Sequence, residues 1–311
     1  MVRKLVEEDH VLLVASPLGT PTNSAIWHYM NQNKVPQLFV ATGATKWDDP
    51  KGHPWTIGLQ PNYQSEGRIY AAYILEHKPD GKIGVLYQDD DFGKDYLKGL
   101  TDGLGAKASM IAVKASYETT DPTIDSQVVS MKAAGCDAFV NTAIPKFAAQ
   151  AIKKAAELEW KPLHVLSSIG QSVGATLKPA GLENAKDLIS DFSVKDPTDP
   201  QWKDDPGYKS WVAFMDKYLP GADQTDAGYV GGHSLAAATA QVLKQCGDDL
   251  SRENVMRQAA NLHNFTVPMA LPGIAANTSP TDFAPIKQVQ MARFDGEAWR
   301  LFGPILTGAI G

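Results

Sequence analysis

Residues 82–104 have the sequence KIGVLYQDDDFGKDYLKGLTDGL, and this stretch decides the fold class. Residues 82–87 alternate apolar side chains in the manner of a half-buried strand, and residues 93–104 repeat apolar positions at helical spacing. A strand that runs directly into a helix is the unit from which parallel sheets are built. The stretch therefore predicts a βα unit of an α/β fold.

The same unit recurs along most of the chain. Further strands are predicted at residues 10–15, 35–41, 109–116, 138–141, 163–167 and 187–192, with helices at 21–33, 124–134 and 145–160. After residue 192 the pattern changes to helices at 208–218, 234–245 and 252–261, followed by a hairpin over 288–294 and 298–302. The predicted architecture is α/β, with doubly wound parallel sheets in a two-lobed chain.

The composition excludes several classes of protein. Of the 311 residues, 43% are hydrophobic and 21% are charged, which is typical of a globular protein. The net charge is −6 and no basic cluster offsets it, so we expect no nucleic-acid partner. No apolar run approaches the length of a membrane span, and residues 1–10 lack the apolar core of a signal peptide. Cys136 and Cys246 lie far apart in sequence and are expected to be free, partly buried thiols.

The strongest candidate for a binding site lies at the ends of two predicted strands. Thr20 follows the first strand, and Pro21 opens the helix after it, so Thr20 is predicted to cap that helix. The next strand ends in residues 41–45, ATGAT. Strand ends and helix N-termini of α/β proteins bind anionic groups, so Thr20 and Thr45 could hold a ligand carboxylate. The alternative is that Thr20 only caps its helix.

Residues 232–236, GHSLA, resemble the G-x-S-x-G elbow that presents the nucleophile of α/β hydrolases. The strand that should precede such an elbow is absent from the sequence pattern. The alternative interpretation is that Ser234 caps the helix after it. An α/β hydrolase that uses Ser234 is therefore kept as an alternative function.

The acidic run Asp89–Asp91 lacks the alternating spacing of a calcium loop, so it is interpreted as a helix cap with solvated neighbours. The histidines show no zinc-binding spacing, and no phosphate- or dinucleotide-binding glycine motif occurs. We therefore expect neither a metal nor a cofactor.

Several short segments, in this order and spacing, carry a family resemblance over essentially the whole chain. They are residues 15–20 (ASPLGT), 35–38 (VPQL), 43–45 (GAT), 82–93 (KIGVLYQDDDFG), 135–140 (GCDAFV), 147–155 (FAAQAIKKA), 158–162 (LEWKP) and 246–254 (CGDDLSREN). The sequence resembles the type I periplasmic solute-binding proteins, especially the leucine/isoleucine/valine-binding relatives that serve ABC importers.

The resemblance implies a non-enzymatic protein with a Venus-flytrap fold and a ligand in the cleft between its lobes. Lobe 1 would comprise residues 1–59 and 194–283, and lobe 2 residues 60–193 and 284–311. The implied location is the periplasm, although this chain carries no signal peptide, and the implied partner is an inner-membrane ABC permease. A cytoplasmic ligand-sensing regulator of the same fold is a further alternative.

The resemblance also implies a set of ligand-binding positions. In lobe 1 they are Thr20, Gly43, Ala44 and Thr45, and in lobe 2 they are Phe92, Asn141, Ile144 and Ser168. Roughly the first 70 residues of the family pattern have no counterpart, so lobe 1 is expected to lack its central strand.

The tyrosine and glutamate that hold a ligand ammonium in the family fall here on Ile144 and on Ser168 or Ile169. A buried ammonium would then have no carboxylate partner. The expected ligand is a small organic acid: an aryl or alkyl carboxylate, a keto acid or a branched-chain amino-acid-like solute.

Overall fold

Two sheets organise the computed structural model, which describes residues 1–308. The smaller sheet is parallel, in the order β1 (Val14–Ala15), β2 (Gln37–Val40) and β3 (Thr56–Gly58). The larger sheet has the order β10-β9-β8-β7-β6-β4-β5 and is parallel from β5 to β8 and antiparallel from β8 to β10. Its strands are β4 (Ile83–Gln88), β5 (Ile111–Tyr117), β6 (Ala138–Thr142), β7 (Leu163–Leu166), β8 (Ile189–Phe192), β9 (Gln288–Phe294) and β10 (Trp299–Thr307).

Helices connect most of these strands. They are α1 (Val2–Glu7), α2 (Thr20–Gln32), α3 (Tyr63–His77), α4 (Asp91–Leu104), α5 (Asp125–Ala133), α6 (Pro145–Glu157), α7 (Lys178–Ala180), α8 (Pro206–Tyr218), α9 (Gly228–Cys246) and α10 (Arg252–Ala259). Within residues 1–308, no helix has the length and apolar character that crossing a membrane requires.

The chain divides into two compact units. Unit 1 contains Met1–Asn62 and Gly231–Lys287, and unit 2 contains Tyr63–Val230 and the residues from Gln288 onward. The first and last boundaries lie close to those predicted for the lobes, but the middle one falls after residue 230 and not after 193. The segment between these two positions is tied to unit 2 by hydrogen bonds, including Gly174 N to Thr225 O at 2.9 Å and Ser172 Oγ to Asp226 Oδ1 at 3.0 Å.

The predicted elements are present, but the structure contains further elements and shortens one strand. The sequence pattern did not predict β3 or α3, because the glycine, proline and asparagine of residues 58–63 are typical of a loop. The predicted strand at 10–15 is reduced to Val14–Ala15. The residues before it form a loop after α1, in which Val11 N donates to Leu5 O at 3.0 Å.

Helices α3 and α4 pack unusually closely because glycines line their contact. A Cβ atom at Gly67 would lie 2.7 Å from the backbone nitrogen of Leu100. A Cβ at Gly103 would lie 2.7 Å from the Ala71 side chain, and one at Gly99 would clash with the backbone of Gln64. Only glycine permits this approach, which fixes the position of the buried face of α3.

Candidate functional site

Strand pairing in unit 1 continues past the carboxyl ends of β1 and β2. Leu18 and Ala41 form a parallel bridge, and Gly19 N donates to Ala41 O at 3.2 Å. Gly19 has a φ of 95°, a left-handed conformation that favours glycine, and there the chain turns from the sheet into α2. This turn places Thr20 beside Thr42.

The Thr20 hydroxyl does not cap its helix, so that part of the prediction is wrong. Gly19 is the N-cap residue, and Thr20 is already in the first turn of α2. Gly19 provides no side-chain cap, and Thr22 Oγ1 and Asn23 Nδ2 instead donate to Gly19 O at 3.0 and 2.7 Å. Thr20 is only 2% exposed, and its hydroxyl oxygen lies 2.6 Å from that of Thr42.

The segment after β2 supplies a further hydroxyl at this edge, that of Thr45, whose oxygen is buried. Gly43 and Ala44 are buried, and Ala44 N donates to Thr42 Oγ1 at 3.2 Å. Thr45 is half-buried and begins a single 3₁₀ turn over Thr45–Asp48. We call the edge formed by Thr20, Thr42 and Thr45 the threonine edge. Thr42 belongs to it although the sequence analysis did not select it.

A row of hydrogen-bonded amide and hydroxyl side chains stabilises the interior of this part of unit 1. Gln37 Nε2 donates to Asn23 Oδ1 at 2.9 Å, and Thr56 Oγ1 donates to Gln37 Oε1 at 3.1 Å. Asn31 Nδ2 completes the row with a 2.9 Å bond to Thr56 Oγ1. Because buried polar groups in such a network are satisfied by one another, the row fixes α2 against β2 and β3.

In unit 2, the side chains of Phe92 and Asn141 point inward. Phe92 is 4% exposed, and its ring makes edge contacts with Tyr63 and Tyr96. Asn141 is fully buried, and its amide nitrogen lies 3.3 Å from His164 Nε2. Burial lowers the pKa of His164 to about 3, so its imidazole is neutral.

The start of α4 and that of α6 are each held by a side chain. Asp90 accepts a 2.9 Å hydrogen bond from Phe92 N, which confirms the predicted helix cap. Half-buried Ile144 precedes α6, and its backbone nitrogen donates to Tyr117 Oη at 3.0 Å. Tyr117 in turn donates to Gln88 Oε1 at 3.2 Å, and burial raises its pKa. The first free amide of α6 is therefore already occupied by protein.

Ser168 differs from the other predicted positions of unit 2 because a buried carboxyl group lies behind it. Ser168 is half-buried, and its hydroxyl donates to Glu66 Oε1 and Oε2 at 3.1 and 3.0 Å. The expectation that no carboxyl group lies here is wrong. Glu66 comes from α3, the helix that the sequence analysis missed, and shares its buried face with Tyr63, Tyr70 and Ile74. An acidic residue among apolar residues at helical spacing was the sequence feature that could have identified Glu66.

Glu66 belongs to a buried network that contains a second carboxyl group. Tyr96 donates to Glu66 Oε2, and Tyr70 lies 3.2 Å from the same oxygen. The Tyr70 hydroxyl also donates to Asp191 Oδ1, which links the two acids. Glu66 and Asp191 are each 1% exposed. We call these two acids, together with Tyr70 and Tyr96, the carboxyl network.

Burial controls the ionisation of this network. Loss of water raises the pKa of Glu66 well above its usual range, and the nearby Asp191 raises it further. Burial likewise raises the pKa of Asp191 to about 7. Both shifts favour a network that retains a proton.

The hydrolase alternative fails on the position of Ser234. This residue lies inside α9, which already begins at Gly228, and not at a turn between a strand and a helix. It is therefore not an N-cap either, so both interpretations of Ser234 are wrong. The described part of the chain also contains no group of three or more His, Cys, Asp or Glu residues that could hold a metal ion. Both cysteines are free, as predicted, and both are buried.

Comparison with known proteins identifies the class. The sequence profile of the periplasmic binding protein family matches residues 1–298, and the chain belongs to that family. Leu/Ile/Val-binding protein homolog 8 of Brucella abortus is 25% identical over 164 residues, or 51% of this chain and 40% of the relative. A protein of the same name in Brucella suis matches equally. The chain thus aligns with about two fifths of the length of these curated relatives.

Solved structures confirm the α/β fold of periplasmic binding proteins. A possible leucine/isoleucine/valine-binding protein from Rhodopirellula baltica SH 1 has a TM-score of 0.82 at 17% identity, covering 97% of this chain and 80% of that one. A branched chain amino acid ABC transporter protein from Thermus thermophilus, with bound valine, has a TM-score of 0.85 at 15% identity, covering 98% and 81%. Both neighbours have names of solute-binding or transport proteins rather than enzymes.

Proposed function

We propose that this chain is the solute-binding component of an ABC importer and that it takes a small organic acid in the periplasm. The observation that carries the proposal is the family match, which runs through residues 1–298. The partner in this proposal is an inner-membrane ABC permease. The proposed function includes no cofactor, because a solute is bound and released without breaking a covalent bond.

The threonine edge supports a carboxylate as the recognised group. The first backbone amides of a helix have no acceptor within the helix, and Thr20 opens α2. Those amides are donors without net charge, which suits an anionic oxygen. The Thr45 hydroxyl, whose oxygen is buried, is the side-chain donor that we assign to the same group. The buried pair Thr20 and Thr42 holds the two chain segments in register, so the donors are preorganised.

The unit 2 residues support an acid without an ammonium group. Ile144 has an apolar side chain, and its backbone amide already donates to Tyr117 Oη. The carboxyl group bonded to Ser168 is that of Glu66, and burial raises its pKa well above the usual range, which favours its neutral form. A neutral carboxyl group is a poor counter-ion for an ammonium. Aryl or alkyl carboxylates and keto acids therefore fit best.

A branched-chain amino acid is the second candidate. The names of the Brucella relatives and the valine bound in the Thermus thermophilus structure support it. A keto acid and the matching amino acid share the carboxylate and the side chain and differ only at the α-carbon, which bears a keto oxygen or an ammonium, so matched compounds separate them.

A thermal-shift screen with matched compounds tests the proposal. The set pairs 4-methyl-2-oxopentanoate with L-leucine and 3-methyl-2-oxobutanoate with L-valine, and it includes the methyl ester of each acid. We expect the keto acids to raise the melting temperature, the amino acids to raise it less, and the esters to leave it unchanged. Stabilisation by L-leucine or L-valine in preference to the keto acids would replace the first candidate by the second. If no acid in a wider carboxylate panel binds, the proposed function itself is contradicted.

A further inference from the structure

The carboxyl network extends to Ser168, the unit 2 side chain that we propose contacts the ligand. Each hydrogen bond in the network has a donor and an acceptor. We propose that Glu66 is a positioning residue: a proton shared between Glu66 and Asp191 sets the direction of the Ser168 hydroxyl, and so decides whether Ser168 offers the solute a hydrogen-bond donor or an acceptor. This inference rests on the proposed function and specifies how the same protein distinguishes its solutes.

The number of hydroxyl protons limits the arrangements that the network allows. Tyr96 has one hydroxyl proton, and it is donated to Glu66 Oε2. Tyr70 contacts both acids, but its contact with Asp191 Oδ1 is the closer one, so its proton goes there. Ser168 also has one proton, and its oxygen lies 3.1 Å from Glu66 Oε1. The direction of the Ser168–Glu66 bond is the variable that remains.

When Glu66 is ionised, its carboxylate can only accept hydrogen bonds. Ser168 must then donate its single proton to Glu66, and its oxygen presents only lone pairs to a bound solute. When Glu66 carries a proton, it donates from Oε1 to the Ser168 oxygen. The Ser168 hydroxyl proton can then point to the solute or to Tyr96 Oη, which lies 3.3 Å away. Ser168 thus changes from an acceptor to a donor as Glu66 gains a proton.

The surroundings favour a shared proton. The titratable groups that face the pair are Tyr63 and Tyr70 from α3 and Tyr96 from α4, with Tyr63 stacked on Tyr96 at 4.6 Å between ring centres. Among residues 1–308, no lysine, arginine or histidine forms an ion pair or hydrogen bond with either acid. Asp191 Oδ2 is buried and has no hydrogen-bond partner among the described residues. Two buried acids without a cation are stabilised by retaining a proton.

The direction of the Ser168 hydroxyl has a consequence for specificity. As a donor, Ser168 suits a solute with an acceptor at that position, such as the oxygen of a keto group. As an acceptor, with an ionised carboxylate behind it, Ser168 suits an ammonium. A keto acid and the matching amino acid differ in this respect alone. The preference between them should therefore follow the proton on the carboxyl network.

A measurement without any ligand tests the network directly. Infrared difference spectra recorded across a pH titration follow the carbonyl band of a neutral carboxylic acid. We expect a buried acid that ionises near or above neutral pH, with the band weakened in Glu66→Gln and unchanged in Glu76→Gln, an exposed acid on the same helix. In Ser168→Ala the midpoint should rise by about one pH unit, because the ionised Glu66 loses a donor. An unchanged midpoint in Ser168→Ala, or a full band in Glu66→Gln, would overturn the inference.

Calorimetry with 4-methyl-2-oxopentanoate and L-leucine between about pH 5 and pH 8 tests the specificity. We expect the affinity ratio of L-leucine to the keto acid to rise roughly tenfold as the network ionises. The ratio should be independent of pH in Glu66→Gln and follow the wild type in Glu76→Gln. A ratio with the same pH dependence in Glu66→Gln would contradict the positioning role. If neither probe binds, the ligand class of the proposed function fails, while the infrared titration still decides the inference.

Discussion

The hydroxyl oxygens of Thr20 and Thr42 lie 2.6 Å apart at the carboxyl edge of the unit 1 sheet, and both side chains are buried. Thr42 also accepts a hydrogen bond from Ala44 N. The pair therefore joins the segment after β2 to the start of α2. It positions the backbone donors of the threonine edge, to which half-buried Thr45 contributes a third hydroxyl with a buried oxygen.

Replacing Thr42 by valine should destabilise unit 1. Valine has the same shape, but it leaves the buried Thr20 hydroxyl and the Ala44 amide without their partner. The expected loss is about 1–3 kcal/mol in the free energy of unfolding, measured by chemical denaturation. Thr42→Ser keeps the hydroxyl and should lose less. Wild-type stability in Thr42→Val would show that the pair does not support the edge.

Glycine in the contact between α3 and α4 should be essential, whereas glycine on the exposed part of α9 should not. Gly99→Ala places a methyl group against the backbone of Gln64, so we expect a loss of at least about 1–3 kcal/mol. Gly232→Ala is the matched control, because Gly232 is exposed in a helix with no heavy atom near its Cβ position. That change should stabilise the protein by about 0.5–1 kcal/mol. Equal effects of the two substitutions would contradict the close packing of these helices.

Asp191 should make the protein less stable as the pH rises. Burial raises its pKa from 3.8 to about 7, so between these values the native state holds a proton that the unfolded chain has released. Stability from this group is complete below pH 3.8 and is lost progressively up to about pH 7, by as much as about 4 kcal/mol. Unfolding curves of Asp191→Asn should show a smaller decline over that range. An unchanged pH slope would mean that Asp191 ionises normally.

His164 should make the protein less stable as the pH falls. Burial lowers its pKa from 6.5 to about 3, so below pH 6.5 the unfolded chain binds a proton that the native state rejects. The resulting loss of stability reaches about 3 kcal/mol at pH 4. His164→Gln should therefore be less sensitive to acid than the wild type, and His263→Gln, which changes an exposed histidine, should behave like the wild type. Equal acid sensitivity in His164→Gln would exclude a buried neutral imidazole.

Local patterns were sufficient to predict most of the fold. The alternation in residues 82–87 and the helical spacing in 145–160 correspond to β4 and α6, because both elements bury a regular apolar face. Helix α3 was missed because a segment rich in glycine, proline and asparagine precedes it, and its first turns are polar. Ser234 was misplaced because glycines in residues 228–232 suggested a helix entry, whereas α9 runs through them.

The candidate site was less predictable than the fold. Thr20 and Thr45 follow strands that any βα pattern reveals, so their placement needed only local information. The contacts of Thr20 with Thr42 and of Ser168 with Glu66 join residues that are 22 and 102 positions apart. Such contacts depend on how helices and strands pack, and no local spacing specifies them. Glu66 was therefore absent from the prediction, although it changes the electrostatics around Ser168.

The most direct test of the account is the affinity of 4-methyl-2-oxopentanoate for Thr45→Val and Thr45→Ser, measured by calorimetry near neutral pH. If Thr45 donates a charge-assisted hydrogen bond to the ligand carboxylate, valine should weaken binding roughly 10- to 150-fold. Serine retains the hydroxyl and should bind within about threefold of the wild type. The amide of the same acid should bind wild type and Thr45→Val equally poorly. Wild-type affinity in Thr45→Val, or equal affinity for the acid and its amide, would contradict the assignment of the threonine edge as the carboxylate site.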